Sequence, residues 1–242
     1  MVHIHFETLG CRLNQIESES AARSFSDAGF SVDMENEAAS SKARSDTVLC
    51  IVNTCTVTTK AEQKARRIIR LLLKKNPHAA VVITGCYAQV EPEQLASLDS
   101  RIAVLPGMKK DRLADIPSIL KTYLKSRSDF NAADFASVLS QTLFSGTDAQ
   151  KKAGQIASSA FIGFPEKPFR LSTDTFLSHS RSSIKIQDGC NCQCTYCRIH
   201  IARGNSVSLD AVSVIDRVQE LQNAGQKEVV FTTVNIGQYR SD

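Results

Sequence analysis

No apolar run in this 242-residue chain approaches the ~18–20 residues that a membrane-spanning helix needs, which excludes an integral helical membrane protein. Residues 1–11 (MVHIHFETLGC) lack a basic start followed by an apolar stretch, so no secretory signal is expected. No internal repeat at a solenoid period is present. Charge of neither sign dominates. The formal net charge of +4 permits a nucleic-acid partner but does not argue for one alone. Hydrophobic and charged fractions of 42% and 22% exclude a wholly disordered chain. The compartment expected is therefore the reducing cytoplasm, where structural disulfides are rare.

Cysteine is what the chain does have. Of its eight cysteines, Cys11, Cys50, Cys55 and Cys86 are dispersed, while Cys190, Cys192, Cys194 and Cys197 crowd together. The dense group reads as a metal or cluster site.

Strand and helix patterns alternate through the first half. Strands are expected at Val2–Phe6, Thr47–Val52, Ala79–Ile83 and Ile102–Leu105. Helices are expected at Ile16–Ala28, Lys60–Lys75, Glu91–Leu98 and Asp111–Leu124. This alternation implies an α/β fold with a parallel sheet covered by helices. The pattern degrades over residues 125–180, where Phe164–Pro168 is a breaker cluster, and a linker with some helix in its first half is expected. Order returns as a strand at Ile184–Ile186, a helix at Asp210–Ala224 and a strand at Val229–Thr232. The expected organisation is 1–124, a linker at 125–180, and 181–242. One strand, one helix and a second strand cannot close a barrel, so the last part is expected to be incomplete and the chain a fragment.

Cys190, Cys194 and Cys197 stand in a C-x3-C-x2-C arrangement. Three thiolates can hold three irons of a cubane cluster and leave the fourth open to a small molecule. Zinc sites usually use two C-x2-C pairs, and no second pair follows. A ferredoxin site supplies four cysteines, commonly with Pro after the last. Cys192 could be that fourth ligand, but the alternating C-x-C-x-C directions make it awkward, and it reads as a bystander. Cys11, Cys55 and Cys86 each follow a strand by a short turn. The carboxyl ends of parallel strands share one edge, so these thiols are expected to converge as a second three-cysteine site. Three unrelated cysteines are the alternative. Cys50 lies inside a strand and reads as a buried structural thiol.

The dense spacing, with Tyr196 before its third cysteine, resembles the radical S-adenosylmethionine signature. The segments Thr8–Glu19 (TLGCRLNQIESE), Val52–Val57 (VNTCTV) and Thr84–Gln89 (TGCYAQ) resemble the N-terminal domain of the methylthiotransferases. Lys185–Cys190 and Ala202–Gly204 resemble the start of their radical domain, a partial TIM barrel. The TLGC-x-x-NQ-x-ESE form is most similar to the MtaB branch, which methylthiolates C2 of N6-threonylcarbamoyladenosine beside the anticodon of tRNA. Sister branches act on isopentenyladenosine in tRNA (MiaB) or on a ribosomal-protein aspartate (RimO). The resemblance implies two 4Fe-4S clusters, one carrying the sulfur to be donated and one cleaving S-adenosylmethionine. It further implies cofactor contacts from Tyr196, Thr233 and Asn235, an electron donor such as flavodoxin or ferredoxin, and a sulfur donor. Two positions depart from the family: His200 stands where Pro is usual, and Thr233 where Gly is usual. An inactive cluster-binding fragment and an iron–sulfur electron carrier remain as other classes.

The helix Lys60–Lys75 carries Lys60, Lys64, Arg66, Arg67, Arg70, Lys74 and Lys75 against one acid, Glu62. Lys60, Lys64, Arg67 and Arg70 could contact phosphates without reading sequence, or form an ordinary solvated face.

Two separate triads predict about eight irons per chain after anaerobic reconstitution. Replacing Cys190, Cys194 and Cys197 with Ala is expected to remove about half of that iron. Cys50→Ala and Cys192→Ala should leave it unchanged. Iron and acid-labile sulfide analysis checks both, and a drop with Cys192→Ala alone would establish a four-cysteine site.

Overall fold

A computed structural model describes residues 2–34, 44–144, 167–172 and 182–241. Five strands, β1 (His3–Thr8), β2 (Ser31–Asp33), β3 (Thr47–Thr54), β4 (Ala80–Gly85) and β5 (Ile102–Val104), form one sheet in the order β2-β1-β3-β4-β5. Every pairing in it is parallel. Between and after them come α1 (Arg12–Asp27), α2 (Thr59–Lys75), the short α3 (Cys86–Val90) and α4 (Pro92–Ala96), a 3-10 stretch Gly107–Asp115, α5 (Ile116–Ser126) and α6 (Ala132–Phe144).

The central strands are apolar on both faces because both faces are covered. Leu49 and Ile51 of β3, with Ala80 and Val82 of β4, enter one core with Phe25 of α1, Leu120 of α5 and Phe135 of α6. Cys50, Val52, Val81 and Ile83 enter the other, against Ile68, Ile69 and Leu72 of α2. Cys50 is fully buried there, as a strand-interior thiol should be.

Helix α2 follows from its pattern. Ala65, Ile68, Ile69, Leu72 and Leu73 form the buried stripe, and the Thr58 hydroxyl accepts from the Ala61 amide at 3.1 Å as N-cap. The expected helix from Asp111 begins as the 3-10 stretch and becomes α-helical only at Ile116, where Pro117 suits a first turn. Helix α6 lies in the stretch 125–180, and its Phe135, Ala136, Leu139 and Leu143 belong to the first core.

Strand β2 was not expected from the pattern. Asp33 secures it to β1, accepting from His3 Nε2 at 2.6 Å and His5 Nδ1 at 2.5 Å. Partial burial alone would raise the Asp33 carboxyl, but the two histidines hold it well below the usual range.

The second part has β6 (Ser182–Lys185) paired in parallel with β9 (Val229–Thr232), with α8 (Ala211–Asn223) between them. This is the β-α-β arrangement expected from the sequence. A ribbon of β7 (Gln187–Asp188) and β8 (Val207–Ser208) and the short α7 (Ile199–Arg203) complete it. Among the described residues no helix is long and apolar enough to cross a membrane.

Leu139 is fully buried on α6. Leu139→Ala is expected to cost about 2–5 kcal/mol in urea unfolding, against about 0.5 kcal/mol or less for a surface change.

Candidate functional site

The order β2-β1-β3-β4-β5 reverses direction between β1 and β3. Ligands bind outside the carboxyl ends of strands at such a switch point. Strands β3 and β4 run past their apolar stretches to Thr54 and Gly85, so Cys55 follows β3 directly and Cys86 opens α3 directly after β4. Cys11 is the N-cap residue of α1. All three therefore stand at the carboxyl edge.

Two glycines let these turns pack. Gly85 has φ of 97°, and a Cβ there would meet the Thr54 carbonyl oxygen at 2.3 Å. Gly10 has φ of 103°, and a Cβ would meet the Cys55 Cβ at 2.7 Å. The Cys11 and Cys55 turns touch because position 10 has no side chain.

Cys11, Cys55 and Cys86 line one cleft of about 370 Å³, and Tyr196, Cys197 and Thr233 line it from the second part of the chain. Cys55 and Cys86 are buried and Cys11 is exposed. Burial pushes the Cys55 thiol up, and the charges of Cys86 and Cys11 add to that. Cys190 and Cys194 do not line the cleft. The Cys190 amide donates to the Gly204 carbonyl, and the Cys197 amide to the Cys194 carbonyl, each at 3.0 Å. Asn235 Nδ2 lies 3.9 Å from Cys190 Sγ, which places Asn235 beside the second triad and outside the cleft. Cys192 is exposed and accepts from Gln238 Nε2 at 3.2 Å. A hydrogen bond with Cys190 raises its thiol.

Among the described residues, no three His, Cys, Asp or Glu side chains stand at metal-binding spacing. The thiols share an edge and a cleft without being gathered to coordination distance. Their donor chemistry suits iron–sulfur ligation, since thiolates are the soft ligands such clusters take. Thr232 also lines the cleft, and its buried Oγ1 has no partner among the described residues. An orphaned polar atom there fits a site that receives a polar ligand.

Beneath the cleft lies a network that the sequence reading missed. Glu17 of α1 accepts from Lys110 at 2.5 Å and from Lys185 at 3.0 Å, with Arg203 at 3.5 Å. Asp188 accepts from Lys185 at 3.1 Å and Arg203 at 2.9 Å. Asn14 Oδ1 accepts from Arg203 at 2.7 Å, and its Nδ2 donates to the Leu9 and Thr54 carbonyls at 2.8 and 3.0 Å. All six residues are buried. Burial alone would raise Glu17, but Lys110, Lys185 and Arg203 together hold it well below the carboxylate range. Burial would likewise lower Arg203, yet Asp188, Cys86, Glu17 and Cys11 hold it well above its ordinary value. Asn14, Glu17, Lys185, Asp188 and Arg203 all lie in the segments that carry the family resemblance, but nothing local in the sequence joins them to one another.

The basic stripe of α2 lies where the pattern put it. Lys60, Lys64, Arg67 and Arg70 are exposed, whereas Arg66 turns toward the Tyr87 hydroxyl.

A family model described as "Uncharacterized protein family UPF0004" matches residues 3–107. The threonylcarbamoyladenosine tRNA methylthiotransferase MtaB of Treponema pallidum (strain Nichols) is 42% identical over 269 residues, covering 100% of this chain and 55% of the relative. The Bacillus subtilis (strain 168) protein of the same name is 29% identical, covering 100% of the chain and 46% of the relative. A tRNA-2-methylthio-N(6)-dimethylallyladenosine synthase of Akkermansia muciniphila is 30% identical, covering 99% and 48%. The chain spans about half the length of these relatives.

Removing Glu17 strands buried cations. Glu17→Ala is expected to cost about 3–5 kcal/mol in denaturant unfolding. The folded pKa of Glu17 lies below its ordinary 4.5, so its stabilisation is fully present above that value and lost as pH falls through the acid range. Glu17→Gln should start less stable at neutral pH and lose less on acidification. Unfolding midpoints measured from about pH 7 down to about pH 3 check the sign.

Proposed function

Because the chain belongs to the MtaB-type methylthiotransferase family, we propose that it carries the cluster-bearing part of an enzyme that adds a methylthio group to C2 of N6-threonylcarbamoyladenosine in tRNA. The observation that carries this reading is the shared cleft. Cys11, Cys55 and Cys86 meet Tyr196 and Cys197 there, so two thiol groups from distant parts of the chain can serve one substrate.

Cys11, Cys55 and Cys86 would hold one 4Fe-4S cluster, and Cys190, Cys194 and Cys197 the other. Tyr196 and Thr233 from the cleft wall, and Asn235 from beside Cys190, would contact S-adenosylmethionine. When bound, these groups supply the donated sulfur and the radical that activates an unreactive adenine C–H. The protein's own residues orient and shield. Gly10 and Gly85 bring the first triad's turns together. Arg203 places a buried guanidinium on the cleft wall beside Cys86 and Cys11. The exposed Lys60, Lys64, Arg67 and Arg70 follow directly on the Cys55 loop, where they can contact the tRNA backbone near the anticodon. An electron donor and a sulfur donor complete the reaction, in the cytoplasm. The 42% identity to an MtaB protein favours the threonylcarbamoyl substrate over the dimethylallyl one.

Nucleoside mass spectrometry of tRNA from cells lacking the gene tests the reading. Loss of the methylthio group from threonylcarbamoyladenosine is expected, and loss from the isopentenyl nucleoside instead would reassign the substrate. For the helix stripe, Lys64→Ala with Arg67→Ala should weaken tRNA binding at all sequences. The salt-dependence slope should fall by roughly 0.7–0.9 per phosphate contact removed. An unchanged slope would make that face an ordinary solvated one.

A further inference from the structure

Helix α2 has one acid among its basic residues, and that acid is bound away from its own helix. Glu62 Oε1 accepts from Arg198 at 2.7 Å and from the Thr56 hydroxyl. The same Arg198 nitrogen lies 3.5 Å from Thr56 Oγ1, and the other lies 3.6 Å from Glu91. Thr56 follows Cys55 in the chain, and Arg198 follows Cys197. Both cysteines line the cleft. A continuous polar path therefore runs from Cys55 through Thr56, Glu62 and Arg198 to Cys197.

The position of Arg198 makes this more than a surface ion pair. It is the N-cap residue of α7, and Arg203 is the last residue of that helix. Arg203 is bound to Asn14 and Glu17 of α1, the helix that follows Cys11. Arg198 is bound to Glu62 of α2, the helix that follows the Cys55 loop. Helix α3, which opens with Cys86, packs against α7 between them. One short helix is thus held by an arginine at each end to the elements that carry the first triad. Thr56 is buried and Glu62 mostly so, while the Arg198 side chain is 41% exposed, so water competes for the bridge only from the arginine side.

We propose that Thr56, Glu62 and Arg198 form a positioning bridge that fixes the separation of the Cys55 and Cys197 loops across the cleft. This rests on reading the two triads as cluster sites. A reaction served by two centres depends on their spacing, and a displacement of about 1 Å can cost about a hundredfold in rate. The buried network beneath the cleft fixes one end of α7, and the bridge fixes the end that carries Cys197. Thr56 and Arg198 also line the cleft, whereas Glu62 does not, so Glu62 is the residue whose role can only be positioning.

The test uses the 242-residue chain, reconstituted anaerobically, with Arg198→Ala, Glu62→Ala and the exchanged pair Glu62→Arg with Arg198→Glu. Iron content and the magnetic dipolar coupling between the two reduced clusters are read by chemical analysis and electron paramagnetic resonance. The single variants should keep about eight irons and lose or alter the coupling, and the exchanged pair should recover it. Full iron with unchanged coupling in Arg198→Ala would overturn the bridge. A wild-type chain that takes up no iron would instead overturn the cluster reading. In that case a double-mutant cycle on denaturant unfolding of the apo chain decides whether the bridge exists. A coupling of about two- to fivefold in the unfolding constant supports the bridge, and additive effects refute it.

Discussion

A carboxylate buried in a protein interior stays charged only if cations and hydrogen bonds replace the water it has lost. Glu17 meets that condition with three cations drawn from three separate segments. Lys110 comes from the 3-10 stretch after β5, Lys185 from β6, and Arg203 from α7. The orientation of the second part against the sheet follows, because any other would leave a charge stranded. Three cations face the carboxylates of Glu17 and Asp188. Arg203 also feels Cys86 and Cys11, so the network reaches to the edge that carries the first triad.

The sheet and this network divide the work. Parallel strands covered on both faces make a rigid edge, and their turns deliver the thiols of Cys11, Cys55 and Cys86 to it. The network then fixes what stands opposite that edge. Asn14 joins the two systems. Its amide hydrogens satisfy the Leu9 and Thr54 carbonyls at the ends of β1 and β3, while its oxygen accepts from Arg203. Its side chain is fully used, and an aspartate or leucine of similar size could not make these contacts.

Much of this was legible in the sequence. The apolar runs of β3 and β4 and the buried stripe of α2 declare themselves by local period, and the cysteines could be placed because they follow those strands. Strand β2 was missed because it is short and its attachment depends on His3, His5 and Asp33, a pairing across about thirty positions that no period reveals. The charged network was illegible for the same reason. Asn14 and Arg203 are 189 positions apart, and each alone reads as an ordinary polar residue. Helix α6 answers to the helix expected in the first half of residues 125–180, but its place in the core was not foreseen. Its Phe135 and Leu139 are apolar enough, but the Ser- and Ala-rich surroundings suggested a connector rather than a wall of the first core.

The network also orders events in time during synthesis. The ribosome delivers Asn14 and Glu17 first, Lys110 much later, and Lys185, Asp188 and Arg203 last. While the chain is still emerging, Glu17 can pair with Lys110 alone, so the sheet and its helices can close as a unit with one ion pair satisfied. Lys185 and Arg203 then arrive with Asp188 close by in sequence, a neighbour that limits their exposure as uncompensated charge. The cleft draws residues from both parts, so it cannot form before Tyr196, Cys197 and Arg203 have emerged. Until then Cys11, Cys55 and Cys86 lack the wall that Tyr196, Cys197 and Arg203 supply, so the order of chain growth bears on how long their thiols face solvent.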